Sequence, residues 1–114
     1  MRPTVLNLPA ASGQLINTGG CLTWHSTRET SGAAAAAYRI WDGSSASGTK
    51  LLDVSLVASG SARDFIGQHV LPFKTGLYFE LVSGALEGSV AVALEHDCAR
   101  YLLTLLDAAL QAGG

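Results

Sequence analysis

A chain of 114 residues is the size of one domain and is long enough to bury a single core without added staples. Charged residues make up 14% and hydrophobic ones 48%, against a usual charged share of about 25%, so little charge is available to cover a small monomer. The net charge of −2, with seven Lys and Arg scattered singly, excludes a basic track for phosphates, and no run of about 18 apolar residues is present to span a membrane.

From the N-terminus, residues 1–19 hold two prolines and a Gly19-Gly20 boundary with little periodicity. They predict an extended arm with one short strand, around 5–8 or 14–16. The apolar stretch is short and is broken by Asn7 and Pro9, which argues against a signal peptide. A strand over 21–28 follows, with Leu22 and Trp24 on one face, and Thr30-Ser31-Gly32 turns the chain. Residues 33–37 are all alanine, the best helix former, but so short a run leading into β-formers predicts a strand over 34–41.

Between residues 36 and 95 apolar and polar positions alternate with a period of two. Ala36, Tyr38 and Ile40 share one parity; so do Leu52, Val54 and Leu56; Leu77, Phe79 and Leu81; and Val90, Val92 and Leu94. Successive strand side chains point to opposite faces, so each run buries one face. The spacing predicts strands over 50–57 and 63–71, the latter ended by Pro72, and a hairpin of 77–82 and 89–95 across 83–88.

The C-terminal stretch differs in kind. Asp97 reads as a helix cap, 99–112 contains one β-branched residue, Thr104, and Gly113-Gly114 stops the run. Arg100, Thr104, Asp107 and Gln111, four, three and four apart, form a narrow polar stripe. The rest is apolar, with Tyr101, Leu102, Leu103, Leu105, Leu106 and Leu110 as the candidate interface. A surface helix normally has the reverse proportions, so burial on two sides is expected, the second against another subunit or a host assembly. The domain plan is thus an arm over 1–19, a β-sandwich over 20–96 and a helix over 97–114 packed on the domain or on a neighbouring subunit.

Candidate chemistry is sparse. Cys21, His25, His96 and Cys98 include the donor types zinc takes, but a strand separates Cys21 from His25 along one face, so separate structural roles are expected. Without a secretory signal, Cys21 and Cys98 are read as buried reduced thiols rather than as a disulfide. No Ser, His or Asp stands in an activating context, and His69 reads as a strand-face residue. Asp42-Gly43 and Ser47-Gly48 read as turn chemistry. Trp24, Tyr38, Trp41 and Tyr78 are the types that stack on sugars, although Trp24 and Tyr38 share parity with core positions.

The segment Tyr38-Arg39-Ile40-Trp41-Asp42-Gly43-Ser44-Ser45-Ala46-Ser47-Gly48-Thr49-Lys50-Leu51-Leu52, then Leu71-Pro72-Phe73-Lys74-Thr75-Gly76-Leu77-Tyr78 and Val82-Ser83-Gly84, resembles small β-sandwich structural proteins of tailed-phage virions. Those share a Tyr-Asp-Gly-Thr-Ser strand end, a Gly-Thr-Lys-Leu step, a Pro-Phe-x-x-Gly-Leu-Tyr turn and a Val-x-x-Gly hairpin; Trp41 stands here where they carry Tyr or a smaller residue. The resemblance covers about residues 38–95. It implies a capsid decoration (cement) protein or another minor virion component of the tail or neck, a homo-oligomer with a trimer favoured. It implies the major capsid protein or other virion proteins as partners and the virion, assembled in the host cytoplasm, as location.

The expectation is therefore a mainly β chain, an antiparallel β-sandwich or barrel of about six to eight strands with a C-terminal α-helix. It is expected to act through protein–protein interfaces, with no enzymatic activity, catalytic residue, cofactor, metal, nucleic acid or membrane. A carbohydrate-binding β-sandwich module is the alternative.

Overall fold

The computed structural model describes residues 4–65, 71–94 and 98–99. Nine strands lie within them: β1 (Thr4–Asn7), β2 (Gly13–Ile16), β3 (Gly20–Glu29), β4 (Ala36–Asp42), β5 (Thr49–Leu56), β6 (Ser61–Phe65), β7 (Leu71–Phe73), β8 (Leu77–Ser83) and β9 (Leu86–Leu94). All pairings are antiparallel and build two open sheets. The first runs β1-β9-β3-β6, with β7 also on β3; the second runs β2-β8-β4-β5. β6 lies against residues 24–28 of β3 and β7 against residues 20–22, so both lie on one edge of β3, opposite β9. Counted as a single edge strand, they complete the interleaved order of a double-sheet jelly roll.

The core follows from the period-two pattern. Tyr38, Ile40, Leu77, Phe79, Val90 and Val92 are all fully buried and form one cluster with Leu22 and Phe73. The Tyr38 and Phe79 rings, 5.7 Å apart at the centroids and tilted by 44°, join the two strands at the middle of the second sheet. Leu52, Val54, Leu81 and Leu94, on the same parities, close the margins of this cluster. A methylene-rich interior of this kind supplies most of the folding free energy, at roughly 25 cal/mol per Å² of apolar surface removed from water.

Several expectations are corrected. Both sheets are open, so the fold is a sandwich and not a barrel. Residues 4–16, read as an arm with one strand, contribute two: β1 pairs with β9 and β2 with β8, one in each sheet. Leu6, Leu15 and Ile16 pack on the core, and that burial outweighs the weak local pattern. Pro72 does not end a strand but sits within β7, opposite Cys21. An edge strand leaves one side unpaired, which is where a residue without an N–H is tolerated.

The hairpin expected across 83–88 is not one either. β8 and β9 belong to different sheets, and only Gly84 and Ala85 separate them. Gly84 has a φ of 77°, and a Cβ there would stand 2.5 Å from the Ala35 carbonyl oxygen, so the corner requires glycine.

Of the helix expected over 97–114 only Cys98 and Ala99 are described; both are helical, and the rest of that span lies outside the described residues.

Candidate functional site

Each end of the sandwich is held by one carboxylate. At the first end, Glu29 closes β3 and is 4% exposed. Its oxygens accept the N–H groups of Ser31 (2.6 Å), Gly32 (2.6 Å) and Ser59 (3.0 Å). Two loops, 30–35 and 57–60, are thereby tied to one side chain, and Ser59 takes a left-handed φ of 59° to reach it. The Ser59 N–H foremost, with the Ser31 and Gly32 contacts, outweighs burial and draws the Glu29 carboxyl from its usual 4.5 to about 2.

At the second end, Asp42 closes β4 and accepts the N–H groups of Lys74 (3.0 Å), Thr75 (3.0 Å) and Gly76 (3.5 Å). The Gly43 N–H donates to the Gly76 carbonyl at 3.2 Å. Burial works against the charge on Asp42, yet these donors, aided by the Lys74 ammonium, hold its carboxyl below the usual aspartate range. The Asp42-Gly43 turn and the Lys74-Thr75-Gly76 turn, about thirty residues apart in sequence, are therefore one structure.

Between the clasps, the sandwich carries a small polar group inside its core. The Tyr38 hydroxyl lies 3.3 Å from both Thr27 Oγ1 and His25 Nδ1, and all three side chains are buried. Burial pushes the Tyr38 phenol up, against a smaller opposing effect of Thr27. His25 thus faces inward from β3.

Cys21, on the other face, is joined to Cys98 in a disulfide with Cα atoms 5.4 Å apart. The reduced-thiol expectation is corrected: the fold brings two cysteines separated by 77 positions to bridging distance. The Cys21/His25/His96/Cys98 set does not converge, since its two described cysteines are bonded to each other and His25 lies across the sheet; His96 is outside the described residues. Among the described residues no group of three or more His, Cys, Asp or Glu is placed to hold a metal ion.

The aromatic residues separate in the same way. Tyr38 is core. Trp24 is half-buried and points outward from the first sheet, because a bulge between Leu22 and Trp24 shifts the parity of β3. Trp41 and Tyr78 are register partners on the outer side of the second sheet, both half-buried, and Gln14 is in register on the far side of Tyr78. Trp41 Nε1 donates to Glu80 Oε1 at 3.0 Å. Beside them Arg39 stands between Asp53 (3.5 Å) and Glu80 (3.6 Å), and Lys50 reaches Asp53 at 3.1 Å. The Lys50 ammonium, ahead of the smaller influence of Arg39, holds the Asp53 carboxyl below its usual range. Pairs this exposed are screened by solvent, so the patch is an ordered polar surface more than a source of stability.

The outer side of the first sheet is unlike that of the second. Cys21, Ala91 and Ala93 face away from the core and are nonetheless 0% exposed. The continuous apolar run from Val90 to Leu94 is the sequence signal for a strand covered on both faces, where alternation would leave one side polar. The candidate interface residues Tyr101, Leu102, Leu103, Leu105, Leu106 and Leu110, and the strand-face candidate His69, lie outside the described residues.

Sequence reasoning passed over Glu29, although a strand-ending carboxylate followed by Thr-Ser-Gly marks a side chain placed to cap its own loop. Comparison with family models, curated proteins and solved structures returned no match to this chain.

Proposed function

We propose that this chain is a structural component of a tailed-phage virion, a capsid decoration (cement-like) protein that stabilises the shell by burying surface between subunits. The observation that carries the proposal is the Asp42 clasp. The two most distinctive stretches of the resemblance, Trp41-Asp42-Gly43 and Pro72-Phe73-Lys74-Thr75-Gly76, meet through four main-chain and side-chain hydrogen bonds. Turn motifs that match independently have no reason to touch; motifs that jointly specify one structural unit do. Low charge and an apolar C-terminal stretch support the same proposal, since a protein working by interface area needs surface that is inexpensive to desolvate.

In this proposal the chain forms a small homo-oligomer, a trimer first, through Tyr101, Leu102, Leu103, Leu105, Leu106 and Leu110, and binds the major capsid protein or another virion protein. Light scattering of the purified chain and imaging of particles assembled with it test the proposal. A defined oligomer and density on the shell are expected; a monomer that does not associate with particles overturns it.

A second function is favoured by one observation. Trp41 and Tyr78 stand side by side on an outward surface beside the Gln14 amide and the Glu80 carboxylate, as in a platform for a neutral sugar. Trp41→Ala abolishing retention on a neutral glycan array, where the native chain is retained, would establish it; silence of the native chain removes it.

A further inference from the structure

The outer side of the first sheet holds a polar row that neither proposed function uses. Register places Arg63 of β6, Ser26 of β3, Ser89 of β9 and Asn7 of β1 side by side across four strands. The next row toward the Glu29 end is Ser61, Arg28 and Glu87. Six of these residues (Ser26, Arg28, Ser61, Arg63, Glu87 and Ser89) line an open cleft of about 420 Å³, within the usual size range of small-ligand sites.

The electrostatics of the cleft are uneven. Arg28 Nε lies 2.5 Å from Glu87 Oε1, so the one carboxylate among the described lining residues is engaged by its own cross-strand partner. Arg63 is exposed and has no ion pair with any described residue. The hydroxyls of Ser26, Ser61 and Ser89 likewise make no hydrogen bond to a described residue. Among the described residues, a guanidinium without an ion pair therefore stands beside three hydroxyls without a hydrogen-bond partner, on a chain whose net charge is −2.

We propose that this cleft binds a carboxylate-bearing saccharide, a uronate, with Arg63 gripping the carboxylate and the Ser26, Ser61 and Ser89 hydroxyls meeting the sugar hydroxyls. The planar fork of an arginine matches a carboxylate through two parallel hydrogen bonds. A single net positive charge balances one carboxylate but not a phosphate monoester, which carries close to two negative charges near neutral pH. Hydroxyls that both donate and accept suit a ring whose own hydroxyls do the same. The row needs no partner chain, so it is testable on the isolated protein and independently of any association with a particle.

The test is an amide NMR titration of the full chain with methyl galactosiduronate, which carries one carboxylate, its neutral methyl ester and acetate. The uronate glycoside is expected to shift the Ser26, Arg63 and Ser89 amides saturably, and Arg63→Gln to weaken binding roughly tenfold or more, as loss of a charge-assisted bond does. The ester is expected to bind as weakly as that variant. Absence of saturable shifts overturns the proposal, as does equal binding of acid and ester, or full affinity in Arg63→Gln. Acetate binding as tightly as the saccharide also overturns it, since the cleft is then a bare anion site. The acid–ester comparison is made on the native chain and holds even where a variant fails to fold.

Discussion

Glu29, like Asp42, gathers three backbone N–H groups on one side chain. Its three backbone N–H partners belong to two loops that close the same end of the sandwich. Because its carboxyl is drawn from 4.5 to about 2 on folding, the sign of the pH effect is set. The stabilisation is full above pH 4.5, where the unfolded chain is also ionised, and is lost as the pH falls from there through about 2. Asp42 and Asp53, also lowered, add slope of the same sign. Denaturant unfolding between pH 7 and pH 2 is therefore expected to show stability falling below about 4.5, and Glu29→Gln to remove a large part of that fall. A second residue-scale prediction concerns Gly84. With a φ of 77° and the Ala36 Cα 2.7 Å from where a Cβ would stand, Gly84→Ala is expected to destabilise by about 2 kcal/mol or more, read as a lowered midpoint in urea.

Strands show which parts of the pattern were legible. Tyr38-x-Ile40 and Leu77-x-Phe79 announce their buried faces by alternation alone, and all four side chains are fully buried. What alternation does not carry is the partner of each strand. β8 and β9 are neighbours in sequence with two residues between them, yet they join opposite sheets, because Gly84 turns the chain through a corner a hairpin would not need. The disulfide was equally hidden, since its cysteines meet only when β3 pairs with β9 and the chain continues past Leu94. Closing a loop of 77 residues restricts the unfolded chain by about 4 kcal/mol on a chain-entropy basis. Cys98→Ser, or reduction of the native chain, is expected to lower stability by that order in urea unfolding with and without reductant. An unchanged midpoint would show that the bridge adds nothing.

At the scale of the whole molecule, the proposed association rests on the apolar C-terminal residues of the sequence. In the proposed oligomer, Leu106→Asp is expected to dissociate the assembly while the β-type circular dichroism persists. Light scattering and spectra on the same sample check it, and outright unfolding would assign Leu106 to the core of its own chain. The amino-acid sequence by itself determined the class of fold, the core-facing positions of β4, β5, β8 and β9 and the turn character of Asp42-Gly43 and Lys74-Thr75-Gly76, because backbone geometry makes these local properties. Only the tertiary structure decided that those two turns form one clasp, that Trp24 points outward, that Cys21 finds Cys98, and that Arg63, Ser26, Ser89 and Asn7 share a row. These depend on which strands pair across the two sheets, and the alternation of a single strand fixes its buried face without fixing its partner.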